Sequence, residues 1–229
     1  MPQVRVGVSG WSFDEWKDTF YEGVPRRAWL AHYASVFPTV EVNYTFRRTM
    51  SEKIAQDWVA TVGEDFRFAV KAHQRITHLD RLKQPAETLP HFLASLEPLR
   101  PRLGPVLFQL PPQLPRNDDR LGTFLDALPL DVTSVFEFRH ESWAHHDVHA
   151  LLASRGAGLV LSETDDADVP DVVTAPIVYL RLRRSDYPDA ALAAWAERIE
   201  AFRAEQVWVY LKHEDRSPEL ARALTDHLS

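Results

Sequence analysis

Residues 177–183 read Ile-Val-Tyr-Leu-Arg-Leu-Arg. In an extended chain successive side chains point to opposite faces, so Val178, Leu180 and Leu182 share one face and Tyr179, Arg181 and Arg183 the other. The first face is purely apolar, and the second turns cationic toward its C-terminal end. The same division recurs in seven further short apolar runs, at 4–9, 39–43, 66–71, 105–110, 134–139, 158–162 and 207–212. One set in each run is apolar, as in Val6/Val8, Phe68/Val70, Phe108/Leu110 and Val207/Val209/Leu211. The opposite sets end in Ser9, Asn43 after Glu41, Lys71, Gln109, Arg139 after Glu137, Ser162, Arg183 after Arg181, and Lys212.

Between most of these runs lie segments of helical composition, at 26–37, 51–61, 88–99, 118–128, 146–155, 190–203 and 216–228. Strand alternating with helix implies parallel strands joined by crossovers. The gap at 163–176 is acidic and holds two prolines, so its helix is expected to be short or missing. Eight such units suit either a closed barrel or an open doubly wound sheet. An open sheet covered on both faces buries both sets of side chains and does not gather charges at one end of one face. A (β/α)₈ barrel does gather them, because its working face lies at the C-terminal ends of its strands. No linker-like or low-complexity block interrupts the series, so residues 1–229 are expected to form one TIM-like barrel domain.

The composition narrows the function classes. With 45% hydrophobic and 26% charged residues the chain has the make-up of a globular protein. A net charge of -7 argues against general affinity for nucleic acid or anionic membrane. The absence of cysteine excludes disulfides, thiolate metal sites and cysteine nucleophiles. No apolar run is long enough to span a bilayer and the N-terminus does not read as a signal peptide, so the expected location is cytoplasmic.

The inward strand ends bring Glu41, Asn43, Lys71, Gln109, Glu137, Arg139, Arg181 and Lys212 to one mouth. Four are cationic and two anionic, so the mouth is locally positive inside an acidic protein. A surplus of buried charge is costly unless something neutralises it, and a small anionic ligand, a phosphate or carboxylate, is the simplest partner. Arg139 and Arg181 suit bidentate capture of such a group and Lys212 would assist. Glu41 and Glu137, their pKa values lowered by nearby cations, would act as bases or metal ligands. Lys71 would be a point charge or proton donor. As an imine-forming nucleophile it needs a dry pocket to depress its pKa, a shift that the two carboxylates oppose. The alternative is an ion-pair network with no chemical duty.

His73, His78, His140 and His213 sit just beyond strand ends. No cofactor is predicted; if a divalent metal is bound, Glu41, Glu137, His73 and His213 are its ligand set. The bland reading is loop histidines that hydrogen-bond or face solvent, and His145, His146 and His149 read as surface. Trp11 in the aromatic loop after the first strand and Trp143 after the fifth, with Ser9, are expected either to stack on a ligand ring or to plug the barrel end. No phosphate-binding glycine loop or nucleophile elbow is present.

Several stretches resemble the YecE-like family, known as domain of unknown function 72: Val-Ser-Gly-Trp-Ser at 8–12, Thr-Val-Glu-Val-Asn-Tyr-Thr-Phe at 39–46, Phe-Arg-Phe-Ala-Val-Lys-Ala at 66–72 with Ile-Thr-His at 76–78, Gly-Pro-Val-Leu-Phe-Gln-Leu-Pro-Pro at 104–112, and Glu-Phe-Arg-His-Glu-Ser-Trp at 137–143. The resemblance implies a TIM-like barrel, similar in plan to xylose-isomerase-like and endonuclease-type barrels, and no established reaction. Two positions depart from the family pattern. Arg47 stands where a tyrosine is usual, and Tyr210-Leu211-Lys212-His213 replaces a Tyr-Phe-Asn-Asn-like segment. Three functions remain open: a lyase, isomerase or hydrolase acting on a small anionic, sugar-like substrate; a metal-assisted phosphodiester hydrolase; and a non-catalytic ligand-, RNA- or protein-binding module.

Overall fold

The computed structural model describes residues 1–167, 169–213 and 215–228. Eight parallel strands close into a barrel in sequence order, with β8 returning to β1. They are β1 (Gln3–Ser9), β2 (Thr39–Val42), β3 (Arg67–Lys71), β4 (Leu103–Gln109), β5 (Ser134–Glu137), β6 (Gly158–Glu163), β7 (Ile177–Leu182) and β8 (Gln206–Leu211). The helices are α1 (Trp29–Val36), α2 (Glu52–Thr61), α3 (Pro85–Leu96), α4 (Asp118–Asp126), α5 (His146–Ser154), α6 (Asp189–Ala201) and α7 (Ser217–His227). Their starts follow local chemistry. Ser51 and Asn117 cap α2 and α4 by accepting the backbone N–H of Ile54 and Arg120, and α3 opens on Pro85, whose missing N–H costs nothing at a first helical position.

Among the described residues no helix joins β6 to β7, as the acidic, proline-bearing gap predicts. None of the helices is long and apolar enough to cross a membrane. β2, β5, β7 and β8 each stop before the polar residue expected to end them, while β4 reaches its Gln109. Asn43, Arg139, Arg183 and Lys212 lie just past the strand ladders, where the chain turns into the loops of the C-terminal face.

The two faces of the strands build two separate apolar layers. Val8, Val42, Phe68, Phe108, Leu180 and Val209 pack outward against the helices. Ala69, Leu107, Val135, Val160, Tyr179, Trp208 and Tyr210 fill the barrel interior. Alternation along each strand thus sorts residues between an outer and an inner core, the arrangement a packed barrel requires. Inside, Tyr210 and Thr39 share a hydrogen bond of 2.7 Å, and Tyr179 packs against Tyr210 at 5.0 Å.

Gly7 sets the distance between β1 and β2. A Cβ there would lie 2.2 Å from the carbonyl oxygen of Thr39, which is backbone and cannot rotate away. We expect Gly7→Ala to cost about 1–3 kcal/mol, the range for overpacking a closed interior. At this chain length that lowers the melting temperature by roughly 2–12 °C in a calorimetric scan. An unchanged transition would show that β1 and β2 can separate freely.

Candidate functional site

The inward residues at the strand C-termini converge on Arg181. Its guanidinium, 3% exposed, bridges two carboxylates that are themselves inaccessible, Glu41 at 0% and Glu137 at 1%. Nη2 donates to Glu41 Oε1 at 2.9 Å and Nη1 to Glu137 Oε2 at 2.5 Å. Nη1 also reaches Gln109 Oε1 at 3.3 Å, while Nε is buried without a partner. Both outer nitrogens of Arg181, expected to capture a ligand, are committed here to protein carboxylates.

Those carboxylates are fully engaged. Glu41 accepts from Ser9 Oγ at 2.7 Å, Asn43 Nδ2 at 3.3 Å and Tyr179 OH at 2.8 Å in addition to Arg181. Glu137 Oε1 accepts Arg139 Nε at 3.0 Å and Arg183 Nη2 at 3.4 Å. Burial by itself pushes both acids up. The guanidinium of Arg181 and the remaining donors outweigh it and hold both below the usual carboxylate range. The expected lowering is present, but acids this well bonded are poor proton acceptors.

Lys71 is placed differently. It makes no ion pair with Glu41 or Glu137 of the kind expected for an internal network. Nζ donates to the neutral Gln109 Oε1 at 2.9 Å and lies 4.2 Å from the centre of the Phe46 ring. Burial first, then the charge of Arg181, bring its pKa down to about 8, although Glu41 and Glu137 oppose the shift. His78 stands nearby, edge-on to Phe46 at 4.9 Å, and is lowered by burial and by the charges of Lys71 and Arg139. A single π-helical turn, Arg75–Leu79, carries it there.

Ser9 and Arg183 of this cluster also line a cavity of about 730 Å³ between the loops that follow β1, β7 and β8. Ser9, Arg183, Arg184, Lys212 and His213 line it, with Phe13 38% exposed on its wall and Glu15 and Asp165 at its acidic edge. Asp165 accepts the backbone N–H of Ser185 at 2.9 Å. Lys212 is lowered by burial and by Arg181 and Arg183. Arg183 donates to Ser162 Oγ at 2.5 Å and leaves Nε buried and unpartnered. Arg184 is braced by Glu163 at 3.0 Å, a buried acid that also takes Tyr187 OH and Trp195 Nε1. At the strand ends Lys71, Arg139, Arg181, Arg183 and Lys212 outnumber Glu41 and Glu137, while Glu163 balances Arg184 and Glu15 and Asp165 put negative charge at the edge of the cavity.

Of the two expectations for the aromatic residues, the packing agrees with the plug. Trp143 is 2% exposed, donates to the Leu114 carbonyl at 2.8 Å and stacks on Phe138 at 4.6 Å. Trp11 packs edge-on against Trp58 at 4.7 Å. Both plug the barrel end, and the aromatic surface of the cavity is Phe13.

The conditional metal set is dispersed. Glu41, Glu137, His73 and His213 do not gather their ligand atoms into one group. Every oxygen of the two acids already faces a donor. His73 Nδ1 accepts the N–H of Arg75 at 3.2 Å, and His213 bonds the Ser185 carbonyl with Nε2 and the Arg216 N–H with Nδ1. These residues do not fit a divalent cation. Among the described residues the one such group is His145, His146 and Asp147, after β5, with ligand atoms within 4.8 Å of one another. That group could coordinate a metal, but it is exposed and Asp147 already takes Arg116 Nη2 at 2.9 Å.

Sequence reading singles out Arg183, Ser162 and Tyr179 as inward-facing but does not assign them to the site, and it misses Phe46 and Glu163 altogether. Tyr179 and Arg183 share the parity of Arg181, which is the signal that finds them. Glu163 shows itself as an acid on the otherwise apolar parity of Leu159 and Leu161. Phe46 lies beyond β2 in a short turn, Tyr44–Phe46, where strand parity no longer applies.

A family model described as protein of unknown function DUF72 matches residues 5–229. Protein YecE of Escherichia coli is 31% identical over 138 residues, 60% of this chain and 48% of that protein. Protein YunF of Bacillus subtilis is 30% identical over 151 residues, 61% of this chain and 52% of that protein. The chain thus spans about half the length of the curated relatives it matches. The crystal structure of a DUF72 family protein from Thermotoga maritima superposes with a TM-score of 0.86 at 23% identity, covering 99% of both chains, and shares the fold.

Proposed function

This chain belongs to the DUF72 family of proteins of unknown function, and from that premise we propose that it is an enzyme acting on a small anionic, sugar-like metabolite at the C-terminal mouth of its barrel. One observation carries the reading: five cationic side chains face two carboxylates whose oxygens are already used, so positive charge remains for a ligand to neutralise. The setting agrees with it. In barrels of this kind anionic groups are commonly held by the loops after strands seven and eight, and here those loops supply Arg183, Arg184 and Lys212. A cavity of about 730 Å³ suits a metabolite-sized ligand, and Phe13 offers an apolar face to its carbon skeleton.

In this reading Arg139, Arg183 and Lys212 hold the phosphate or carboxylate. Arg181 is a positioning residue that fixes Glu41, Glu137 and Gln109. Lys71 stabilises developing negative charge or moves a proton, for which a pKa near the working pH is suitable. Glu41 and Glu137 fall from the role of base to that of counter-ions.

A thermal-shift panel of phosphosugars, organic acids, nucleotides and short oligonucleotides, each with and without a divalent metal, tests it. A ligand at a hundred times its dissociation constant stabilises by about 2.7 kcal/mol, a rise of roughly 5–11 °C at this length. The expected result is such a rise from a phosphorylated or carboxylated metabolite, abolished in Arg183→Ala and reduced in Arg139→Ala. Response to oligonucleotide with metal alone would favour phosphodiester hydrolysis instead, and no response to any anion would overturn the reading.

A further inference from the structure

We propose that Lys71 is a covalent catalytic residue whose Nζ condenses with the carbonyl carbon of an aldehyde- or ketone-bearing ligand to give an imine. The anionic part of that ligand rests on the reading above; the imine chemistry rests on the surroundings of Lys71 alone. A lysine locked to a carboxylate keeps its proton and its geometry and is a poor nucleophile. In this barrel the two carboxylates within range are drawn away by Arg181, Arg139 and Arg183. Lys71 is left with an uncharged amide oxygen and an aromatic face. Ala69 precedes it on the inner face of β3 and Leu107 pairs with it on β4, so the floor beside its stem is apolar. Lys71 is the last residue of β3 and is 9% exposed.

Five ionisable groups act on it. Arg181, Arg139 and His78 would disfavour its charge when cationic, and Glu41 and Glu137 favour it. With burial added, the net effect is downward. A lysine titrating near 8 is about one-tenth neutral at pH 7, against on the order of one part in 2,500 for an exposed lysine.

The reaction balances without a co-reactant. The nitrogen lone pair forms the C–N bond as the carbonyl π pair moves to oxygen, and one amine proton follows to give the carbinolamine. The hydroxyl then leaves with the second amine proton as water, and the nitrogen lone pair closes the C=N bond.

The chain holds five lysines, Lys17, Lys53, Lys71, Lys83 and Lys212, so labelling can be mapped completely. The experiment treats the full chain at pH 7 with glycolaldehyde phosphate or neutral glycolaldehyde plus cyanoborohydride, and follows each lysine by peptide mass. We expect Lys71 to be labelled by both reagents at least tenfold faster than Lys17, Lys53 and Lys83, with a rate that climbs to a midpoint near pH 8. Lys71→Gln removes that fast adduct, and its folded state is checked by circular dichroism. Equal labelling of all five, or preference for Lys212 over Lys71, overturns the proposal. Excess glycerol phosphate separates the two readings. If it neither shifts the melting transition nor slows labelling by the phosphate reagent, the anion site fails, whereas fast labelling of Lys71 by neutral glycolaldehyde still upholds the imine.

Discussion

Arg181→Leu is expected to destabilise the protein by about 3–5 kcal/mol, the cost of removing one partner from a buried ion pair, and to lower its melting temperature by roughly 6–20 °C. The lost hydrogen bonds are the smaller part. Glu41 stays inside the barrel with no exit to water, and a buried carboxylate that loses its paired guanidinium is forced toward protonation, whereas Glu137 keeps Arg139 and Arg183.

The pH dependence then changes sign. In the native chain both acids are depressed below their unfolded values. Their stabilising contribution is fully present above the unfolded carboxylate range and is lost as pH falls through the folded values. Without Arg181, burial is no longer outweighed at Glu41 and its folded pKa rises above the unfolded one, while Arg139 and Arg183 still hold Glu137 down. The variant therefore gains relative stability as pH falls through the raised value of Glu41, and its deficit narrows from pH 7 toward pH 5. Denaturant unfolding at both pH values reads this directly. Adding Glu41→Gln and Glu137→Gln to an Arg181→Met background is expected to recover much of the loss. A deficit independent of pH, or none at all, would mean that water reaches the two acids and that the cluster is not a closed electrostatic unit.

The barrel was legible because parity in eight strands states the same fact eight times. Residues such as Val178, Leu180 and Leu182 go outward and Tyr179 and Arg181 inward, and a single misplaced boundary does not disturb that pattern. Charge at the mouth was legible for the same reason. Who pairs with whom was not, because it depends on reach and register across the barrel. Arg181 on β7 meets Glu41 on β2 and Glu137 on β5, and no local spacing encodes those meetings. Lys71 is the clearest case. The sequence places two carboxylates near it, which argues against a depressed pKa, but the guanidinium groups take both and leave it to Gln109 and Phe46.

Tryptophan near a strand end was the least legible signal, since a ring that stacks on a ligand and a ring that seals a barrel use the same residue in the same loop. Trp143→Ala decides between them. Its indole is enclosed, stacks on Phe138 and satisfies the Leu114 carbonyl. Truncation removes a large apolar surface, leaves a cavity and strands that carbonyl, for an expected cost of about 3–5 kcal/mol. Trp143→Phe keeps much of the stacking and loses the hydrogen bond, so it should cost clearly less. Neither change touches the cations of the mouth. The rise in melting temperature produced by a bound anion is therefore expected to match the native rise, measured from each variant's own lower baseline. A variant of near-native stability that no longer responds to the anion would return Trp143 to the ligand and place the binding surface beside β5 rather than between β7, β8 and β1.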